Sequence, residues 1–142
     1  THSYTQYFHA IERLEIGPAA LEEAFRRMAF NVIARNCDDH TKNLSFLLRE
    51  GGGWELAPAY DITYAHQPDG HWTYQHLMAV NGKFDGITRA DLLDVADRFS
   101  VGTAKKIIDR VRDVVATWPI YASEAGVENK ESARIKEHHR LL

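Results

Sequence analysis

Residues 31–46 read Asn31-Val32-Ile33-Ala34-Arg35-Asn36-Cys37-Asp38-Asp39-His40-Thr41-Lys42-Asn43-Leu44-Ser45-Phe46, and the change of pattern inside them decides the fold. Upstream, Leu21, Phe25, Met28, Val32 and Ile33 recur at helical spacing and make one apolar stripe. Pro18 suits the first helical position, and Glu22 and Glu23 fall in the first turn, where a helix N-terminus favours anions. The spacing predicts a helix over 18–36 with that stripe in the core. At Asn36 the periodicity gives way to consecutive polar and reactive side chains, so a loop starts there. Downstream, Leu44 to Leu48 and Trp54 to Ala57 flank Gly51-Gly52-Gly53, the pattern of a β-hairpin with a permissive turn, and Pro58 closes its second strand.

Further out, helical patterns dominate. Tyr4, Phe8, Ile11 and Leu14 predict a helix over 4–15. Thr88 with Asp91 resembles a capping box before Leu92, Leu93, Val95, Ala96 and Phe99, predicting a helix over 88–99. Ile107, Ile108, Val111, Val114, Val115 and Trp118 predict another over 103–118, which Pro119 stops or kinks. Residues 128–140 are strongly polar and read as a solvated terminal helix or tail. Large residues alternate from Trp72 to Val80 (Trp72, Tyr74, His76, Met78, Val80), as in an extended segment, with an irregular loop as the alternative. The expected fold is mainly α with a small β-hairpin, in one domain spanning 1–142.

Composition narrows the function classes. With 44% hydrophobic residues the 142-residue chain can bury a sizeable core. Its 17 basic and 20 acidic residues give a net charge of -3, without the basic excess of a direct nucleic-acid binder. The single cysteine, Cys37, has no internal disulfide partner, and no apolar run reaches membrane-spanning length, so a cytoplasmic protein is expected. The chain opens at Thr1 and enters an amphipathic stretch at once, which reads as a cut inside a longer polypeptide.

The cluster Asp38-Asp39-His40-Thr41-Lys42-Asn43 lies at the helix-to-hairpin junction, and the returning strand leads to Asp61 in Ala59-Tyr60-Asp61-Ile62. Phosphoryl transfer needs a carboxylate to orient the attacking hydroxyl and take its proton, and oxygen ligands to hold magnesium on the phosphates. An Asp-x-x-x-x-Asn loop with a second Asp on a returning strand supplies these groups, which makes Asp38, Asn43 and Asp61 the candidates. The competing account has Asp38 and Asp39 capping a turn and Asn43 satisfying backbone groups, as such residues do in loops.

The run from Arg35 to Phe46, followed by Trp54-Glu55-Leu56-Ala57-Pro58-Ala59-Tyr60-Asp61-Ile62, resembles the C-terminal signature of HipA-like serine/threonine kinases. Residues 20–85 carry this resemblance, which extends loosely through 75–83. It implies a kinase C-lobe-like helical domain, with Asp38 as catalytic base and Asn43 and Asp61 as magnesium ligands on ATP. His40 and Lys42 match the same loop. Lys42 is a candidate to neutralise the transferring phosphate, although an exposed loop lysine is more often solvated, and His40 is expected to brace the loop. Asp39 is assigned no chemistry. The resemblance further implies a HipB-like antitoxin as partner in a toxin–antitoxin system, and a protein substrate such as an aminoacyl-tRNA synthetase.

The departures are as specific as the match. Neither a G-x-G-x-x-G loop nor a V-A-I-K-like strand precedes the catalytic motif, so the nucleotide lobe is expected outside this chain and the isolated fragment is expected to be inactive. Two alternatives stay open: a non-catalytic pseudokinase or antitoxin-docking module, and a small-molecule or lipid kinase-like phosphotransferase. Among the remaining signals, His66, His71, His76, His138 and His139 lack zinc-site spacing and read as scattered surface histidines. Cys37 reads as a small, partly buried loop residue. Trp54, Trp72, Tyr60, Tyr64 and Tyr74 are expected to pack in core and rim, the alternative being to stack on adenine or a partner. Tyr60, beside Asp61, is the candidate cofactor contact.

Overall fold

The computed structural model describes residues 2–142. Six α-helices dominate it: α1 (Tyr4–Arg13), α2 (Pro18–Ala34), α3 (Arg89–Arg98), α4 (Ala104–Ala116), α5 (Trp118–Glu124) and α6 (Asn129–His138). Four short strands complete it: β1 (His2–Ser3), β2 (Phe46–Leu48), β3 (Trp54–Leu56) and β4 (Met78–Ala79). The architecture is mainly α with a small antiparallel hairpin, in which Phe46 pairs with Leu56 and Leu48 with Trp54.

The middle of the domain belongs to α2, which packs against α1 and α4. Phe25, Met28 and Ile33 on its apolar stripe are fully buried together with Phe8, Ile11, Leu92 and Ile108. Burial of each such side chain contributes about 1.5–3 kcal/mol. The Phe8 ring also stacks on Phe99 with centroids 4.8 Å apart, tying α1 to the end of α3. Thr88 caps α3 as its sequence predicts: its hydroxyl accepts from the Asp91 amide, and the Asp91 carboxylate accepts from the Thr88 amide.

Four expectations need correction. Residues 71–77 follow a series of bends, and only Met78–Ala79 is extended, because its partner is the two-residue β1, aligned parallel, and not a neighbouring strand in sequence. Pro119 opens a helix as well as following one: α4 ends at Ala116, and the proline occupies the first turn of α5, where no amide hydrogen is needed. The polar 128–140 stretch is docked rather than solvated throughout, since Ile135 and Ser132 are buried, the Trp118 indole donates to the Ser132 carbonyl at 3.0 Å and the Arg140 amide to Ile33 at 2.9 Å. His66 and His76 are interior side chains, and Cys37 is fully buried. No helix among the described residues is long and apolar enough to cross a membrane.

Candidate functional site

Helix α2 ends at Ala34 because Arg35 turns into the left-handed region (φ 59°), releasing the chain into the 36–40 loop. Asn36 then forms an isolated parallel bridge with Ala65: the Cys37 amide donates to the Ala65 carbonyl at 2.9 Å, and the Ala65 amide to the Arg35 carbonyl at 3.1 Å. That bridge, with the β2–β3 hairpin between its ends, sets the 59–62 segment beside the loop. Asp61 itself sits at φ 53°, a conformation that Asp tolerates better than most residues.

Two of the predicted residues meet directly. The Asn43 amide nitrogen donates to Asp61 Oδ2 at 2.9 Å and to the Asp38 carbonyl oxygen at 3.1 Å. Both neighbours are acceptors, so the NH2 group must face them, and Asn43 Oδ1 remains available. Asn43 and Asp61 line a narrow cleft with Tyr4, Asn36, Asp39 and His40; its cavity volume of about 10 Å³ is close to one water. Asn36, also on the cleft wall, keeps its buried Oδ1 without a partner. Asp38 joins the group through its main chain, whereas its carboxylate is 44% exposed and lies 3.9 Å from His40 Nε2, too far for a hydrogen bond. Lys42 is exposed on the 3-10 turn Thr41–Asn43, and the Tyr60 hydroxyl donates to its carbonyl at 2.7 Å, clasping that turn to the 59–62 segment. Among the described residues no three His, Cys, Asp or Glu side chains gather as a metal set. Oxygen donors for a cation are those of Asn43 and Asp61.

Beneath the cleft lies a buried network that the sequence reading missed, and its centre is Asp39, the residue given no chemistry. It is 3% exposed. Its Oδ2 accepts from the Tyr4 hydroxyl at 2.8 Å and from His76 Nδ1 at 2.9 Å, and its Oδ1 accepts from the Leu77 amide at 2.8 Å. The Tyr4 hydroxyl accepts from Asn31, and the Asn36 amide donates both to Asn31 Oδ1 at 3.0 Å and to the Asp61 carbonyl at 3.2 Å. A continuous chain of polar groups therefore runs from the Asp61 backbone to the residue after Asp38. One signal was available: Asn31 lies three residues after Met28 on the apolar face of α2, where a polar side chain must find a buried partner.

Electrostatics separate the two histidines flanking Cys37, whose sulfur lies 3.7 Å from His66 and 3.9 Å from His76. Burial pushes the His66 imidazole below its ordinary range, and the Arg35 guanidinium adds to the effect. Burial acts in the same direction on His76, but its hydrogen bonds to Asp39 and Cys37 and the Asp39 charge outweigh it and raise its pKa to about 9. His76 is thus an interior imidazolium paired with the Asp39 carboxylate.

Compared with known protein families, residues 1–118 match the model of the HipA-like C-terminal domain. The match extends well beyond the 20–85 stretch that carries the motifs. No curated protein and no solved structure matches the chain.

Proposed function

The chain belongs to the family of HipA-like C-terminal domains, a kinase-related family, and from that premise we propose that it is the catalytic and metal-holding part of an ATP-dependent serine/threonine protein kinase. The observation that carries this reading is the Asn43 amide held between Asp61 Oδ2 and the Asp38 carbonyl. Residues 18 positions apart share one hydrogen bond, and the free Asn43 Oδ1 stands next to a carboxylate. That donor set fits Mg2+, which prefers oxygen, takes few protein ligands and completes its octahedron with water and phosphate oxygens. Asn43 and Asp61 would hold the ion, and Mg2+ with ATP supplies a γ-phosphoryl group whose charge is partly neutralised.

The chain's own residues have distinct tasks in this reading. Asp38, with its carboxylate in solvent reach, accepts the proton of the substrate hydroxyl as its oxygen attacks the γ-phosphorus and the bond to the β,γ-bridging oxygen breaks, releasing ADP. Lys42 stands exposed on the adjoining turn to meet phosphate charge. Tyr60 holds the turn through its bond to the Lys42 carbonyl, whereas the expected bracing by His40 is not seen, since its buried Nδ1 has no hydrogen-bond partner among the described residues. The cleft has room for about one water, so the nucleotide lies across its mouth and draws its remaining contacts from a lobe outside these residues. Family context alone extends the proposal to a toxin of a toxin–antitoxin pair, with a HipB-like antitoxin as partner and a translation component as substrate.

The test is transfer of labelled phosphate from ATP by the polypeptide that joins this chain to a nucleotide lobe. Asp38→Asn and Asp61→Asn are each expected to lower the rate at least about 100-fold, the typical share of a positioned base or metal ligand. A folded variant that transfers phosphate at the unchanged rate removes that residue from its role. Tight ATP binding with no transfer by the unsubstituted protein favours a non-catalytic docking module.

A further inference from the structure

We propose that the grooves along α2 and α4 dock the protein substrate of this site, and that they select a segment with one or two bulky apolar side chains flanked by Asp or Glu. The proposal rests on the kinase reading and adds the substrate's chemical class to it.

Three concavities run into one another. Arg27, Ala59 and Ile62 line the cleft of Asn43 and Asp61 and also a groove of about 380 Å³ reaching Val111 and Val114 of α4. Phe30, Ile62 and Val114 continue that groove into a second of about 470 Å³, which ends on Trp118 and Tyr121. Ile62, the residue after Asp61, lines all three and is 43% exposed. A polypeptide lying in the apolar part would therefore reach the candidate site without leaving the surface.

The rim decides the occupant. Arg26, Arg27 and Arg110 border the first groove against a single carboxylate, Glu23, which already pairs with Arg26 and Arg27. Arg110 has no ion-pair partner among the described residues. Three arginines against one glutamate leave a formal +2 here, on a chain whose total is -3. A local field opposite in sign to the whole recruits an acidic segment, and the apolar floor supplies the anchor. A second copy fits poorly, because a two-fold contact through this face would set basic rim against basic rim.

The test uses two labelled synthetic peptides, each with a serine and two leucines, one flanked by glutamates and the other by lysines. Binding is read by fluorescence anisotropy. The glutamate peptide is expected to bind at least about tenfold more tightly at low salt, with the preference shrinking as salt rises. Arg110→Glu, on an exposed helix position, leaves two arginines against two glutamates and is expected to remove the preference, and Val114→Glu, which puts a charge in the floor, abolishes binding of both peptides. No binding, equal binding, or a preference untouched by Arg110→Glu overturns the proposal. So does sedimentation as a dimer that Val114→Glu dissociates, which makes a second copy the occupant. Offering the same peptides with ATP to the polypeptide carrying a nucleotide lobe separates the two readings. Phosphorylation indifferent to flanking charge leaves the kinase standing without this groove. Charge-selective binding with no phosphorylation sinks the kinase reading and the substrate label, leaving a docking face for an acidic partner.

Discussion

Asp38 and Asp39 are neighbours in sequence, yet the Asp38 carboxylate is solvent-exposed, whereas Asp39, on the inner wall of the cleft of Asn43 and Asp61, is buried and bound to Tyr4 and His76. The outer cluster has unsatisfied oxygens and exposed neighbours such as Lys42. The inner carboxylate has its hydrogen bonds filled by fixed donors and faces a buried imidazolium. The contrast teaches that order and solvent access are divided between adjacent carboxylates. A carboxylate can fix a loop only where water is excluded and every lone pair is matched, and it can serve a cation or a hydroxyl only where some lone pairs are free.

The largest effect that would break this division is expected at Asp39. Asp39→Ala leaves the His76 imidazolium buried without its counter-ion, and the domain should lose about 3–5 kcal/mol in denaturant unfolding. A loss under about 1 kcal/mol would show that the network does not order the loop.

Protonation tests the same pair without mutation. Because the folded pKa of His76 is raised from 6.5 to about 9, its contribution is complete below about pH 6.5 and fades as pH rises through about 9. The stability difference should be on the order of 3 kcal/mol. Unfolding midpoints measured across this window should fall, and His76→Gln should flatten the dependence. A profile equally steep in the variant would assign the titration to another group.

Asp61→Asn sharpens the comparison from the outer side. It should change unfolding stability by no more than about 0.5 kcal/mol, as exposed substitutions do, while phosphoryl transfer falls at least about 100-fold. A comparable loss of stability would mean that Asp61 is structural.

The smallest effect is expected outside both clusters. Asp91 accepts from Lys83 at 2.8 Å and from the Thr88 amide at 2.8 Å, and burial is outweighed by these bonds, which hold its carboxyl well below the usual range. Asp91→Ala should cost about 1–2 kcal/mol through the lost cap and ion pair, without altering transfer. Melting curves with parallel activity assays check both halves of that statement.

Much of the architecture was legible because it rests on local rules. The stripe of α2, the cap of α3 and the glycine turn of the hairpin each need only residues a few positions apart. The elements that escaped depend on distant partners. Residues 72–80 alternate like a strand, yet what they contact is β1 and Asp39, both remote in sequence, so the alternation is only partly used. The α5 helix was hidden by Pro119, whose ring forbids a helix interior but suits a helix start, and sequence near a proline is compatible with both.

The sequence by itself determined the helical class and the hairpin and nominated Asp38, Asn43 and Asp61 as candidates, since spacing and motif are properties of the chain in order. Only the tertiary structure decided which of two adjacent aspartates is sealed, that His76 and Cys37 lie inside, and that an apolar groove with a basic rim leads away from Asp61. Burial is a sum over neighbours supplied by remote segments, and the local dielectric that follows from it sets the charge and hydrogen bonding of each group.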